Sequence, residues 1–203
     1  MKSIKRIGFC MTIVAALVVI GLVGSVKADD GGTWSVAPKL IGFIPNNSDV
    51  GLNNFSTGFG IGVDARYNVI KYFAVAPELD YIGISSHTTD GVTANFSTFA
   101  IKVDALGMYP VGIFTPFLGL GLVYNINSEI DLSGGGLPSG EYTNGSGLGY
   151  EFVIGSDFKV THKGAIAVEI SIPMSQLISL NQVSNTNVNV GGYELLVGYR
   201  FYL

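Results

Sequence analysis

Cysteine is almost absent from this chain, and the one cysteine lies where it contributes nothing to a folded domain. Cys10 falls in the apolar stretch 7–23, which follows three basic residues and precedes the tripeptide Val26-Lys27-Ala28. A basic start, an apolar run and small residues at a cleavage position are features of a secretory signal peptide. The sequence therefore predicts that residues 1–28 are a cleaved signal peptide and that residues 29–203 are one exported domain without disulfides. An uncleaved membrane helix is the alternative, because the run is near the minimum length for spanning.

Positive charge is scarce in the predicted mature domain. Four of the eleven Lys and Arg residues lie in residues 1–28, whereas none of the fifteen acidic residues does. Seven bases against fifteen acids give residues 29–203 a net charge of −8. We do not expect nucleic-acid binding, because a phosphate-binding surface needs clustered Lys and Arg. Charged residues are nevertheless only 13% of the chain and glycines number 28, so we expect something other than water to cover part of the surface.

No helical periodicity follows the leader, but alternation of apolar with polar or small residues recurs eight times. The segments are 34–44, 56–68, 72–85, 95–109, 113–126, 147–159, 165–177 and 190–203. Their lengths suit tilted strands that cross a bilayer, which need about 9–11 residues. The pattern predicts an all-β fold, an eight-stranded antiparallel up-and-down transmembrane β-barrel.

The connections between these segments alternate in length, as they do in barrels of this kind. Three are short, at 69–71, 110–112 and 160–164, and four are longer and rich in Asn, Ser, Thr and Gly, at 45–55, 86–94, 127–146 and 178–189. Short periplasmic turns and long external loops are typical of outer-membrane barrels. Prolines recur in four of the segments and should lie at strand starts or bulges, since proline removes a ladder hydrogen bond.

Each segment has one uncharged face and one face that carries charge. The uncharged face ends in aromatic residues, as interfacial girdles do. The opposite face holds eight acids and five bases, including Asp157 and Lys159. Eleven of these residues form the predicted polar network of the lumen: Lys39, Asp64, Arg66, Glu78, Asp80, Lys102, Asp104, Glu151, Glu169, Glu194 and Arg200. A soluble sandwich or lipocalin-like barrel with the apolar face inward is the alternative, which explains neither the strand lengths nor the loop asymmetry.

The mature chain resembles the small outer-membrane barrels of the OmpA, OmpX and OmpW kind and the porin-family β-barrel domains. The phrases that carry the resemblance are YFAVAPELDY (72–81), TPFLGLGLVY (115–124) and GYRFYL (198–203). The resemblance implies a monomer in the outer membrane of a Gram-negative-type bacterium, in contact with outer-membrane lipid and lipopolysaccharide. It also implies a C-terminal signal read by the barrel-insertion machinery, matched by Tyr199 and Phe201, with Leu203 in place of the usual final aromatic residue.

Chemistry-bearing residues are too scattered to predict a catalytic or metal site. His87, near Asp90, is the one histidine placed for a lipid hydrolase, but a lone loop histidine does not make a catalytic set. Asp131 and Glu141 are too few for a calcium site, and no cofactor is expected.

We expect a non-enzymatic protein with a structural or adhesion-like role through its external loops, which could hold an extracellular ligand. The alternatives are a narrow channel for small or hydrophobic solutes, with a side exit near the wall prolines, and, more distantly, a lipid-modifying enzyme.

Overall fold

A computed structural model describes residues 32–45, 57–89, 92–134, 140–174, 177–180, 186–189 and 192–203. The strands are β1 (Thr33–Pro45), β2 (Gly58–Ile70), β3 (Phe73–Thr89), β4 (Val92–Met108), β5 (Phe114–Gly134), β6 (Gly140–Thr161), β7 (Gly164–Met174), β8 (Leu177–Leu180), β9 (Thr186–Asn189) and β10 (Gly192–Tyr202). Eight of them close an antiparallel barrel in the order β1-β10-β7-β6-β5-β4-β3-β2. The prediction of an eight-stranded antiparallel barrel is confirmed. Within the described ranges, no helix is long and apolar enough to cross a membrane.

The two faces of each strand are separated as the alternation predicts, because successive side chains point to opposite sides of a sheet. Large apolar side chains cover the outside, and Phe59, Leu120 and Leu40 are 74%, 66% and 69% exposed. The charged face is turned inward and is buried. Val63 is an exception on the outer face: it is 4% exposed and pairs with Pro38 and Leu79 on the flanking strands.

Aromatic residues form two belts on the outer surface. At the end with the short turns, four ring pairs have centroids 4.8–6.1 Å apart: Trp34–Tyr67, Tyr72–Tyr109, Phe114–Phe158 and Tyr199–Phe201. At the other end, Phe59 and the tyrosines 81, 124, 150 and 193 are exposed. Leucine, isoleucine and valine occupy the surface between them. An apolar band between two aromatic girdles is the surface that a lipid bilayer requires.

Several strands continue well beyond the segments that alternation predicts. The predicted loop 86–94 contains strand pairing as far as Thr89 and Val92, and the predicted loop 127–146 is largely an extension of β5 and β6. The pairing register shifts near Ile84 and at Asn125–Ser128. Beyond the bilayer both faces of a hairpin meet water, so polar residues on both faces hide the strand from a search for alternation. The short pair β8–β9 lies in the fourth long connection.

Each wall proline lies where a ladder is interrupted on one side. Pro38 pairs with β2, but the β1–β10 ladder skips it, and Pro77 pairs with β4 where the β2–β3 ladder has a gap. Pro116 precedes the last β4–β5 pair, and Pro173 lies beyond Ser171, the last β7 residue paired with β10. The missing N–H of proline therefore costs little, because the neighbouring strand is not paired there.

Candidate functional site

The barrel interior gathers the charged residues that the alternation placed on one face. All eleven residues of the predicted lumen network are buried, each with at most 4% of its surface exposed. Asp157, which the predicted network left out although it belongs to the same face, is buried with them at 2%. Lys159 departs from the pattern: it is exposed at the turn end, beside a register shift between Lys159 and Thr161. It does not belong to the lumen.

Two arginines and two aspartates form the layer nearest the short turns. Arg200 donates two hydrogen bonds to Asp64, both 2.7 Å long, and one of 3.2 Å to Asp157. Arg66 Nη1 donates to Asp157 Oδ2 at 2.6 Å, and its guanidinium lies 4.4 Å from the ring centre of Phe117. Because β2 and β6 are opposite strands of the closed order, the Arg66–Asp157 pair spans the lumen. We name Arg66, Arg200, Asp64 and Asp157 the arginine layer.

Lys39 holds three carboxylates together in the middle of the barrel. Its Nζ lies 2.9 Å from Asp64, 2.5 Å from Glu78 and 3.0 Å from Glu169. The oxygen atoms of these three acids lie within 4.8 Å of one another, close enough to hold a metal ion. The ammonium group already supplies the positive charge at this point, so the arrangement is a structural ion cluster rather than an open metal site.

Lys102 occupies an equivalent position among three other carboxylates. Its Nζ lies 2.9 Å from Asp80 and 3.3 Å from Glu151, and it donates a short hydrogen bond to Glu194. Glu151 also accepts a hydrogen bond from Ser171. Since β4 and β10 are opposite strands, the Lys102–Glu194 pair crosses the lumen as the Arg66–Asp157 pair does.

Glycine provides the room that the interior carboxylates occupy. A Cβ atom at Gly121 would collide with Asp104 Oδ1 and would lie 3.0 Å from Glu151 Cγ. A Cβ atom at Gly62 would collide with Asp80 Oδ1. An eight-stranded barrel is only just wide enough for side chains to fill it. The lumen therefore accommodates its charged side chains only because some of the positions that face them are glycines, which have no side chain.

Apolar side chains close the interior toward both ends. Toward the short turns a buried cluster contains Ala74, Ala76, Leu106, Met108, Phe117 and Val153. Toward the long connections there is a small cavity of about 10 Å³, with room for about one water molecule, lined by Phe43, Ile82, Ile84 and Phe96 and, deeper, by Lys102 and Glu194. The ion network is thus held between two less polar zones.

The other residues that the sequence singled out are described only in part. His87 pairs through its backbone with Ala94, but its side chain lies outside the described residues, as do Asp90 and the side chains of Asp131 and Glu141. At the C-terminus, Tyr199 and Phe201 face outward and pack edge to face, and the Leu203 N–H donates to Trp34 O at 3.0 Å. The insertion signal itself stays a prediction.

Comparison with known proteins points to one family. A family model described as "Outer membrane protein beta-barrel domain" matches residues 13–201. Among solved structures, Neisserial surface protein A (NspA) is 20% identical, with a TM-score of 0.60, over 83% of this chain and 96% of that one. No curated protein sequence matches the chain.

Two other solved structures share the fold at lower identity. OprG from Pseudomonas aeruginosa is 11% identical, with a TM-score of 0.59, over 88% of this chain and 99% of that one. Ail of Yersinia pestis, solved in complex with the heparin analogue sucrose octasulfate, is 9% identical with a TM-score of 0.57, over 85% and 99%. At these identities the likeness establishes the fold of an outer-membrane barrel.

Proposed function

Because this chain belongs to the family of outer membrane protein beta-barrel domains, we propose that it is a non-enzymatic surface protein that acts through its external connections. The observation that carries the proposal is the pair of ion bridges between opposite strands, Arg66–Asp157 and Lys102–Glu194. Side chains that meet in the centre of the lumen leave no wide aqueous path through it. Recognition is then left to the loops, where binding residues are most often found on a rigid scaffold.

The charge of the external segments restricts the partner. Residues 46–57, 85–95, 127–146 and 175–191 contain no Lys or Arg, and their acids are Asp49, Asp90, Glu129, Asp131 and Glu141. Such a surface favours a cationic partner or one bridged by divalent cations, and it disfavours a polyanion. Ail was solved with a polysulfated ligand, and this chain lacks the external bases that such a ligand requires.

Binding of the protein in lipid nanodiscs to immobilised polylysine and to immobilised heparin tests the proposal. We expect salt-sensitive binding to polylysine, weakened in the double variant Asp131→Asn/Glu141→Gln, and no binding to heparin. The matched control is Lys71→Gln/Lys163→Gln, which changes two charges at the turn end and should leave polylysine binding unchanged. Binding to heparin, or equal loss in both double variants, would contradict the proposed external surface.

A second candidate function is a narrow channel for small or hydrophobic solutes. The cavity above Lys102 and Glu194, with its walls of Phe43 and Ile82, favours it, and the ladder gaps at the wall prolines fit a side exit. Planar-bilayer recordings separate the two functions. The surface role predicts no unitary current steps, whereas clear steps abolished by substituting Arg66 or Lys102 would support the channel.

A lipid-modifying activity is the third candidate, but the serine that hydrogen-bonds a carboxylate, Ser171 with Glu151, is buried inside the lumen, away from the lipid. We propose that the protein has no such activity. Mass spectrometry of lipid A from cells that express the protein should show no change, and a modified lipid A would overturn this part of the proposal.

The same family membership supports a route of biogenesis. We infer that residues 1–28 are removed on export and that the C-terminal strand, with Tyr199, Phe201 and Leu203, is read by the barrel-insertion machinery. The mature protein would then lie among outer-membrane lipid and lipopolysaccharide as a monomer. N-terminal sequencing of the membrane-inserted form should begin at Asp29, and Leu203→Phe should raise the folded fraction if the final residue limits recognition.

A further inference from the structure

The buried charges of the lumen divide into two layers of different balance. The arginine layer contains two bases and two acids, and both of its aspartates are paired. The remaining charges form what we name the lysine layer: Lys39, Lys102, Glu78, Asp80, Asp104, Glu151, Glu169 and Glu194, all at most 4% exposed. Two bases there face six acids. With every group ionised, the lysine layer carries four uncompensated negative charges.

Carboxylate oxygens without a hydrogen-bond partner occur in the same layer. They are Glu78 Oε1, Asp80 Oδ1 and Oδ2, Asp104 Oδ1 and Glu151 Oε1, all buried, and of these only Asp80 Oδ2 lies near a cation, 2.9 Å from Lys102 Nζ. In the arginine layer no carboxylate oxygen of Asp64 or Asp157 is in this state. The charge excess and the unpartnered acceptors are independent observations, and both point to the lysine layer.

Asp104 is the most isolated of these acids. It is 3% exposed, and no Lys or Arg nitrogen of the described residues lies within 4.0 Å of its carboxylate. The charged groups around it are Glu78 on β3, Lys102 on its own strand, Glu151 on β6 and Glu169 on β7. On β5 it faces Gly121, which carries no charge. Three of its four charged neighbours are therefore acids.

An ionised carboxylate that is buried without a counterion is costly. Its desolvation penalty is several kcal/mol even after relaxation, and four such charges would exceed the total stability of about 5–15 kcal/mol that a folded protein has. We propose that the lysine layer is a binding site for positive charge from solution, taken up at Asp104 and the neighbouring Glu151 as a proton or a small inorganic cation. The proposal concerns the lumen and is independent of what the external segments bind.

The entry that the proposal requires lies on the side of the long connections. Lys102 and Glu194 belong to the lysine layer, and both line the small cavity on that side of it. The cavity walls also carry Thr98, which hydrogen-bonds Asn125 and Ser128 at 3.3 and 3.0 Å. The cavity has room for about one water molecule, which would pass on a proton, or be replaced by a small ion, at this edge of the layer. The opposite route is closed by the arginine layer and the apolar cluster around Phe117.

The substitutions Asp104→Asn and Asp157→Asn test the proposal, because both remove one negative charge with little change of shape. The free energy of unfolding in lipid vesicles is measured by urea titration, at mildly acid and mildly alkaline pH, in potassium chloride and in chloride of the bulky cation N-methylglucamine. We expect Asp104→Asn to keep or raise stability and to weaken the dependence on pH or potassium. Asp157→Asn should lower stability and leave that dependence unchanged, since it unpairs Arg66 and weakens the contact with Arg200.

Infrared spectroscopy of the wild-type protein distinguishes the two sources of charge and needs no variant to fold. In the wild-type protein, a carbonyl stretch of buried protonated carboxyl groups identifies the proton, and loss or reduction of that band in Asp104→Asn assigns it to Asp104. Absence of that band together with stability that rises with potassium but not with N-methylglucamine identifies the inorganic cation. Absence of the band with no dependence on potassium would overturn the proposal, and so would equal destabilisation by Asp104→Asn and Asp157→Asn.

Discussion

Arg66 on β2 and Asp157 on β6 meet in the centre of the lumen, where Nη1 and Oδ2 are 2.6 Å apart. Asp157 also contacts Arg200 at 3.2 Å, so it keeps one cationic partner when Arg66 is removed. Arg66 itself has two buried nitrogens, Nε and Nη2, without hydrogen-bond partners. The pair closes the barrel, but the cost of losing Arg66 is limited by both facts.

We therefore predict a moderate loss of stability for Arg66→Met. Loss of the charged hydrogen bond to Asp157 and of packing on Phe117 should lower the free energy of unfolding by about 1–3 kcal/mol. The substitution also removes the two buried Arg66 nitrogens that have no hydrogen-bond partner, and this limits the loss of stability. Urea titration in lipid vesicles measures the change, and a loss as large as that of Lys39→Met would show that Arg200 does not compensate.

Lys39→Met should be the more damaging substitution. It leaves Asp64, Glu78 and Glu169 clustered without their shared ammonium, and breaking a buried ion pair from one side costs about 3–5 kcal/mol. Lys159→Met is the matched control, because Lys159 is exposed at the turn end and should change stability by less than about 0.5 kcal/mol. Similar effects of the two substitutions would contradict the central place of Lys39 in the lumen.

Gly121→Ala should destabilise the barrel, whereas Gly42→Ala should not. A Cβ atom at position 121 meets Asp104 Oδ1, but at position 42 the nearest atom is Leu195 O at 3.9 Å. Overpacking in a filled interior costs about 1–3 kcal/mol, while alanine in an open strand position gains about 0.5–1 kcal/mol over glycine. The measurement is the sign of the difference in unfolding free energy between the two variants. Equal values would show that Gly121 has no steric role.

The barrel strands were predictable from the sequence inside the bilayer, where lipid on one face and the lumen on the other impose alternation. They were not predictable outside the bilayer, where both faces meet water. Segment 34–44 predicts β1 (Thr33–Pro45) to within one residue at each end, since each of its side chains faces lipid or lumen. The extension of β5 to Gly134 could not be seen, because polar residues tolerate water on both faces of a strand.

The interior was predictable as a set of residues but not as a set of pairs. Alternation places Lys39 and Glu169 on the same face of their strands, yet nothing local shows that they meet across β10. The pairs depend on the stagger between strands that are distant in sequence. Strand periodicity places Asp157 and Lys159 on the same face of β6. It does not show the register shift at the end of the strand, next to which Lys159 lies outside the lumen while Asp157 lies inside.

The outer face of the barrel contacts hydrocarbon, and depth-dependent quenching of tryptophan fluorescence tests this contact directly. The chain has one tryptophan, Trp34, in the girdle at the turn end, and the double variant Trp34→Phe/Leu120→Trp moves the probe to the middle of the apolar band. In vesicles with brominated lipids, we predict that the probe at 120 is quenched most by bromine deep in the acyl chains, and Trp34 most by bromine near the headgroups. Weak quenching of the probe at 120 at every depth, with the protein folded and monodisperse in the absence of lipid and detergent, would show that the outer face does not contact hydrocarbon.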